Sequence, residues 1–379
     1  MNSNRCNPLI QGINERTANN VLYQLTKRPK QRNIEREREF WTERKKNASV
    51  IAARLGSIGE SARQYRMRIC ADTIISDVCG TCETRHVVQT QFCRDRLCPL
   101  CAWRRARRLS RRLGQIIAAN AAEKPSRYIL LSLTIRNIPW SELAAQIRVI
   151  MQSWDRMGKR IRRAAAVTGW VRTFDVTRSR KYGDAHPHLH VLLQVSPEYF
   201  DKHSGIHYHK KDELIEQWKE CLREEYSPSI DISAVRDTDY TLKNAILKTT
   251  KYISKNSGVQ GLSDEDFRYY VDAMRGVRAW SSGGDMKISD EDIEAKLHYD
   301  DHDDEPINRE GICGNCGGEL HEMREVWSPL NKIYRVKIDT DYNSLRSGDN
   351  AAQAGARVVL NVVNTGGGSI YVGGDMFRG

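Results

Sequence analysis

Residues 185–195 decide the fold, and their sequence is Ala-His-Pro-His-Leu-His-Val-Leu-Leu-Gln-Val. A β-strand places alternate side chains on opposite faces, so His188 and His190 share one face. Leu189 and Val191 lie on the other face, which we expect to be the core face. Two imidazoles side by side on a strand can hold one divalent metal ion. Two satisfied surface histidines are the alternative for a lone His-x-His pattern, so the rest of the chain has to decide.

The composition favours a polyanionic partner. The 379 residues carry a net charge of +12, and the pI is about 9.2, which is typical of nucleic-acid-binding proteins. An anionic membrane is the weaker alternative, because the chain lacks an apolar run of about 18 residues. The first residues also lack the apolar core of a signal peptide. We therefore expect a cytoplasmic protein.

Charge and cysteine patterns predict four regions. Residues 1–60 form a charged N-terminal arm, and residues 61–122 form a cysteine-rich zinc module with an arginine-rich helix. Residues 123–285 form an α/β domain that contains the histidine strand. Residues 286–379 combine an acidic linker with a C-terminal region that carries a further Cys-x-x-Cys knuckle.

Ten cysteines in a reducing compartment favour metal ligands over disulfides. Two Cys-x-x-Cys knuckles are separated by 15 residues, a spacing that fits a tetrahedral four-cysteine zinc site. These knuckles are Cys79 with Cys82 and Cys98 with Cys101. Two further cysteines, Cys70 and Cys93, compete as ligands, and spacing alone does not choose among the six.

A second cysteine pair lies far along the chain. Cys313 and Cys316 form a knuckle, and His321 follows at a distance that allows a third ligand. With only three local ligands, this segment predicts half of a zinc site.

An arginine-rich helix follows the cysteine cluster. Apolar residues recur at helical spacing along one face, which predicts that this face is buried. The other faces and the preceding segment predict a phosphate-binding surface; an ordinary solvated face is the alternative. The arginines concerned are Arg94, Arg96, Arg104, Arg105, Arg107, Arg108, Arg111 and Arg112.

The pattern of apolar residues between 127 and 260 predicts the order strand, helix, strand, strand, helix, strand, helix. This order is typical of an α/β (α+β) fold with an antiparallel, ferredoxin-like or split β-α-β sheet. The strand at 170–177 carries Asp175 and should pair with the histidine strand as a hairpin. Whether Asp175 shares the histidine face depends on the register.

Three motifs in this order resemble those of rolling-circle plasmid replication initiators in the HUH endonuclease superfamily. They are Leu-Ser-Leu-Thr-Ile-Arg-Asn at 131–137, His-Pro-His-Leu-His at 186–190 and Lys-Tyr-Ile-Ser-Lys at 251–255. The resemblance includes the cysteine- and arginine-rich segment at 92–105 and covers roughly residues 60–285. It implies a site-specific, single-tyrosine DNA nickase with an HUH endonuclease domain at 123–285.

The resemblance also implies the metal ligands. His188 and His190 would bind a catalytic Mg²⁺ or Mn²⁺, with Asp175 as a candidate third ligand and His186 as a further candidate. In the cysteine-rich module, alignment to the family favours one set of zinc ligands and leaves Cys79 and Cys82 as additions. That set is Cys70, Cys93, Cys98 and Cys101.

The resemblance makes Tyr252 the nucleophile and Lys255 the lysine of the tyrosine motif. Tyr252 would join the 5′-phosphate of a nicked strand and leave a free 3′-hydroxyl for a polymerase. A phenol with a pKa near 10 needs neighbours that stabilise its anion, and Lys248 and Lys251 are expected to do this and to contact DNA. Related initiators often carry a glutamate where this chain has Lys248, so termination needs another acidic residue, a second copy or different chemistry.

The implied partner is single-stranded or extruded origin DNA of a plasmid, together with a host helicase and DNA polymerase; an oligomer is compatible with this role. Two alternatives remain at this stage. One is a single-tyrosine transposase or relaxase of the same superfamily. The other is a non-catalytic zinc-ribbon protein that binds nucleic acid through a structural His-x-His strand.

Overall fold

The computed structural model describes residues 12–26, 34–164, 167–200, 210–251, 259, 261–294, 311–338, 362–364 and 370–372. The chain divides into two compact units, each built from separate segments. The first unit comprises Met1–Arg28, Arg54–Glu60 and Cys101–Lys296. The second comprises Pro29–Ala53, Ser61–Leu100 and Leu297–Gly379.

Helices and strands alternate along much of the described chain. The helices are α1 (Glu15–Thr26), α2 (Ile34–Ser57), α3 (Ser61–Arg68), α4 (Pro99–Glu123), α5 (Leu143–Ala164), α6 (Lys211–Leu222), α7 (Asp239–Lys251), α8 (Asp264–Ala273) and α9 (Asp290–Glu294). The strands are β1 (Thr73–Cys79), β2 (Arg85–Thr90), β3 (Arg127–Thr134), β4 (Val167–Arg178), β5 (Ala185–Val195), β6 (Ile230–Val235), β7 (Trp280–Gly284), β8 (Leu320–Ser328), β9 (Ile333–Ile338), β10 (Val362–Asn364) and β11 (Ile370–Val372).

The first unit contains a five-stranded sheet in the order β6-β3-β5-β4-β7. All four neighbouring pairs are antiparallel, which confirms the predicted antiparallel arrangement. The histidine strand β5 lies in the centre, between β3 and β4. Strand β7 is not predicted by the sequence, because Ser-Ser-Gly-Gly at 281–284 is typical of a turn.

Helices cover both faces of this sheet. On the histidine face, Val171 and Leu192 belong to a buried cluster that includes residues of α1, α4 and α7. On the other face, Trp154 of α5 packs edge-on against Trp170, with ring centroids 5.4 Å apart. The indole N–H of Trp218, on α6, donates to the Thr134 carbonyl at 2.8 Å. The expectation of a single core face is therefore wrong, since β5 is buried on both sides.

The second unit contains a six-stranded sheet in the order β10-β11-β9-β8-β1-β2. Its centre joins distant parts of the sequence, because β1 pairs with β8 from Thr73–Val326 to Cys79–Leu320. The Glu325 carboxylate is buried between Arg38, at 2.6 Å, and Arg85. This ion cluster lies within the sheet region and ties α2 to β2 and β8.

The mixed charge from residue 34 onward is compatible with a solvated helix or a partly disordered arm, and this segment forms the long helix α2. The apolar run at 358–363 predicts one further strand. The structure describes this run only from Val362, in β10, and residues 358–361 lie outside the described part. No helix in the described ranges has the length and apolar character needed to cross a membrane.

Candidate functional site

Three potential metal ligands meet on the histidine face of the first unit's sheet. The β4–β5 register places Asp175 directly opposite His188. The side chains of Asp175, His188 and His190 therefore share one face of the sheet. One ligand atom from each residue lies within 4.8 Å of the others. The three residues are 5%, 8% and 8% exposed, in chain order. Burial of a carboxylate and two imidazoles together is unfavourable unless a charge compensates them.

The contacts of His188 leave one ring nitrogen facing the Asp175 carboxylate. Its Nδ1 is 3.1 Å from the His186 carbonyl oxygen, and a carbonyl only accepts, so Nδ1 carries the proton. In the neutral imidazole, Nε2 then presents a lone pair to Asp175 Oδ2 at 3.4 Å. Two acceptors at this distance need a shared proton or a cation between them. The donor set therefore fits a divalent ion held by two histidines and one carboxylate.

Ser132 orients the second histidine. It lies opposite His190 in the β3–β5 register, and its hydroxyl is 3.1 Å from His190 Nδ1. A partner on one ring nitrogen fixes the ring orientation and leaves Nε2 as the nitrogen available for a metal.

His186 lies apart from this group. Its Nδ1 is 2.8 Å from the Asn137 side-chain oxygen, and it does not belong to the three-residue set. Burial, with a smaller effect from nearby His188, lowers the pKa of His186. The neutral ring with a hydrogen bond to Asn137 is therefore favoured, and the structure brings Asp175 rather than His186 to the metal ligands.

The end of α7 is attached to the same part of the sheet. The hydroxyl of Thr173, which lies opposite His190, donates to the carbonyl of Thr249 at 2.9 Å. A small cavity there is lined by Ser132, His190, Asp231, Lys248 and Thr249, among others. Tyr252 and Lys255 lie outside the described residues, and Lys251 is the last described residue before them.

The ten cysteines do not form the site that spacing favours. Cys79 and Cys82 do not group with Cys98 and Cys101 among the described residues. The family-based set forms one cluster instead, with Cys98 Sγ 3.6 Å from Cys70 Sγ. Its members are Cys70, Cys93, Cys98 and Cys101.

The remaining four clustered cysteines form a second group, made of Cys79, Cys82, Cys313 and Cys316. His321, the expected third ligand, is not in this group. The ligands that complete the group are Cys79 and Cys82 of the distant first knuckle. Partial burial raises the pKa of Cys82, but hydrogen bonds from the side chain and backbone of Thr84 lower it to about 6. The second knuckle therefore supplies half of a four-cysteine group, as the sequence predicts. The other half could not be predicted, because the pairing of β1 with β8 is invisible to local spacing.

The expected arginine surface is only partly exposed. Arg104, Arg105, Arg108 and Arg111 are at most 9% exposed, so they do not form an open phosphate-binding face. Segments packed against α4 cover faces that a count of charges treats as exposed. For example, the guanidinium of Arg108 donates to the carbonyl of Ile293 at 3.5 Å. The arginines that retain more exposure are Arg94, Arg96, Arg107 and Arg112.

Three polar residues near the histidines escape sequence reasoning. Ser132 has a usable signal, because it lies in the Leu-Ser-Leu-Thr motif and would face the histidines once β3 and β5 pair. Thr173 lies two residues before Asp175 and shares its face. Asp231 comes from β6, two strands away from β5, and has no local signal.

Comparison with known proteins gives a consistent result. Residues 84–327 match the family described as "Replication protein". A "Protein rep" from Streptococcus pneumoniae serotype 2 is 33% identical over 236 residues, covering 61% of this chain and 70% of the relative. A "Protein rep" from Lactiplantibacillus plantarum is 31% identical over 281 residues, covering 69% and 87%. One from Bacillus amyloliquefaciens is 26% identical over 326 residues, covering 78% and 94%. No solved structure gives a significant match.

Proposed function

This chain belongs to the replication protein family, in agreement with its resemblance to rolling-circle plasmid initiators, and we propose that it starts replication by nicking one strand of a plasmid origin through Tyr252. The observation that carries this proposal is the attachment of the end of α7 beside the metal-ligand group, through Thr173 and Thr249. Tyr252 is three residues beyond Thr249 in the sequence, and three peptide units span at most about 11 Å.

The sheet supports the domain assignment. The strands β3, β4, β5 and β6 are connected through α5, a hairpin and α6, and their spatial order is β6-β3-β5-β4. That order fits the split β-α-β arrangement expected for an HUH endonuclease domain at residues 123–285.

The reaction is a transesterification. The Tyr252 oxygen attacks the phosphorus, the bond to the 3′-oxygen breaks, and the new bond joins tyrosine to the 5′-phosphate. The phenol proton leaves to a base or solvent, and the departing 3′-oxygen takes up a proton to become the hydroxyl that a polymerase extends. Lys248 lines the cavity beside His190, where its ammonium can stabilise the phenolate and the phosphate oxygens.

His188, His190 and Asp175 would hold the divalent ion. When bound, Mg²⁺ or Mn²⁺ supplies positive charge that neutralises the non-bridging phosphate oxygens and orients the phosphate for attack. The chain's own contribution is to fix the donor atoms. Ser132 and the His186 carbonyl hold the two imidazole rings, so that little reorganisation is needed during the reaction.

Asp231 is our candidate for the carboxylate missing at position 248. It lines the same cavity as His190 and Lys248. A carboxylate there can accept a proton from a water or hydroxyl that attacks during the terminating step.

The direct test is covalent capture on an origin-bearing single strand with Mn²⁺ present. The wild-type chain should form a DNA adduct that maps to Tyr252, and Tyr252→Phe should form none. Tyr240→Phe is the matched control, because Tyr240 is a 76% exposed tyrosine in the first turn of α7. An adduct that persists in Tyr252→Phe contradicts the assignment of the nucleophile.

The same assay separates the alternatives. A non-catalytic zinc-ribbon protein would bind DNA with no adduct in any variant. A transposase or relaxase would form the adduct on a transposon end or transfer origin and not on a replication origin.

A further inference from the structure

We propose that Cys79, Cys82, Cys313 and Cys316 bind a second structural zinc ion, separate from the one at the Cys70 cluster. This site is independent of the nicking reaction. It would join the turn between β1 and β2 to the segment before β8, which lie 237 residues apart as measured between Cys79 and Cys316. Nothing in the local spacing around either knuckle indicates the other.

The sulfur positions match a tetrahedral site. Cys79 Sγ is 3.4 Å from Cys316 Sγ, and Cys82 Sγ is 3.6 Å from Cys313 Sγ. All four sulfurs lie within 4.8 Å of one another. A tetrahedron with Zn–S bonds of about 2.3 Å has S···S edges of about 3.8 Å, so small shifts are enough to accommodate the ion.

Backbone N–H groups point at the sulfurs in the same way in both knuckles. In the first, Cys79 Sγ accepts from the N–H groups of Thr81 and Cys82, both at 3.4 Å. In the second, Cys313 accepts from the residues at the same offsets, Asn315 and Cys316.

The second cysteine of each knuckle continues this pattern. Cys82 accepts a backbone hydrogen bond from Thr84, and Cys316 accepts one from Gly318, each two residues further on. The two knuckles therefore have equivalent local geometry. N–H groups directed at sulfur stabilise thiolate, which is the form that binds zinc.

Two glycines beside the second knuckle allow its tight turn and its close approach to the first knuckle. Gly317 has φ of +75°, a left-handed conformation that favours glycine. A Cβ on Gly318 would clash with Thr81 Oγ1 and would lie 3.0 Å from Cys79 Sγ. The two knuckles can approach each other because residue 318 has no side chain.

The donor set suits a soft transition metal, and zinc is the ion assigned here. Four thiols lose their protons to solvent as the ion binds, and a four-sulfur tetrahedral set is typical of zinc or iron. The sulfurs are also placed as two facing pairs, so a pair of disulfides is the competing chemistry. Disulfide bonds of about 2.05 Å would need an oxidant, whereas zinc binding needs none.

The test is the metal content of the purified full-length chain, measured by mass spectrometry of the elements. We expect Cys316→Ser to lose about one equivalent of zinc relative to wild type. Cys316 is exposed, so this variant should keep its fold, which circular dichroism would check. Cys316→His should restore the lost equivalent, because imidazole is also a good zinc ligand.

Cys221→Ser is the matched control, since Cys221 belongs to neither cluster, and its zinc content should equal that of wild type. With Co²⁺ in place of zinc, the thiolate-to-metal absorption should fall in Cys316→Ser and not in the control. Zinc content unchanged in Cys316→Ser would overturn the proposal. So would iron in place of zinc, or disulfides joining Cys79 to Cys316 and Cys82 to Cys313.

Discussion

Replacing Thr173 with valine should disconnect the end of α7 from the candidate metal site. Thr173 and Thr249 are both 0% exposed, and the hydroxyl of the first donates to the carbonyl of the second at 2.9 Å. Thr249 lies two residues before Lys251, the last described residue of α7. Valine keeps the shape of threonine but leaves this carbonyl buried without its donor.

A buried polar group that loses its partner costs about 1–3 kcal/mol. We expect Thr173→Val to lower the free energy of unfolding by this amount in urea titrations. If the attachment also positions Tyr252, the same energy lost from the transition state slows nicking by about 5- to 150-fold, since 1.4 kcal/mol corresponds to tenfold. Binding of origin DNA should change much less.

Thr250→Val is the matched control. Thr250 is also buried, but its hydroxyl donates to Ile246 O within the same helix, at 3.0 Å, and that carbonyl also takes part in the helical hydrogen bonds. Its loss should cost at most about 0.5–1.5 kcal/mol and leave the nicking rate close to wild type. If Thr173→Val matches Thr250→Val in both stability and nicking rate, the reasoning about α7 is refuted.

Three further predictions concern other charged and metal-binding residues. His188→Ala combined with His190→Ala should abolish Mn²⁺-dependent nicking while duplex binding persists in gel-shift assays; activity equal to wild type would exclude the metal assignment. Asp231→Asn should leave the first nick intact but slow release of the covalent adduct, and equal slowing of both steps in single-turnover experiments would contradict its role in termination. Glu325→Leu should lower the free energy of unfolding by about 3–5 kcal/mol, because it leaves buried Arg85 without its counter-charge. The exposed Glu322, 62% exposed in its ion pair, should tolerate the same change with a loss of at most about 1 kcal/mol in thermal unfolding.

Much of the first unit could be predicted because its signals are local. Period-two alternation places His188 and His190 on one face, and helical spacing identifies the buried apolar face of α4. The predicted order of strand, helix, strand, strand, helix, strand and helix corresponds to β3, α5, β4, β5, α6, β6 and α7. Each of these elements has its own local periodicity in the sequence.

What could not be predicted depends on pairing between distant segments. The position of Asp175 opposite His188 requires a register that alternation alone does not determine. The grouping of Cys79 with Cys313 requires the β1–β8 pair, and Asp231 reaches the site only through β3. The burial of Arg104 and Arg105 depends on which segments pack around α4. The number and spacing of charges in the sequence do not reveal those segments.

The pairing of β1 with β8 also affects how the chain is made. Translation produces β1 first, and 249 further residues follow before β8 is complete. At about 5–20 residues per second, the ribosome takes on the order of tens of seconds to supply them. During this interval β1 has β2 as a local partner, but its other edge has no strand to pair with. The nascent chain therefore carries an open strand edge. The thiols of Cys79 and Cys82 also lack Cys313 and Cys316 until those residues have been synthesised.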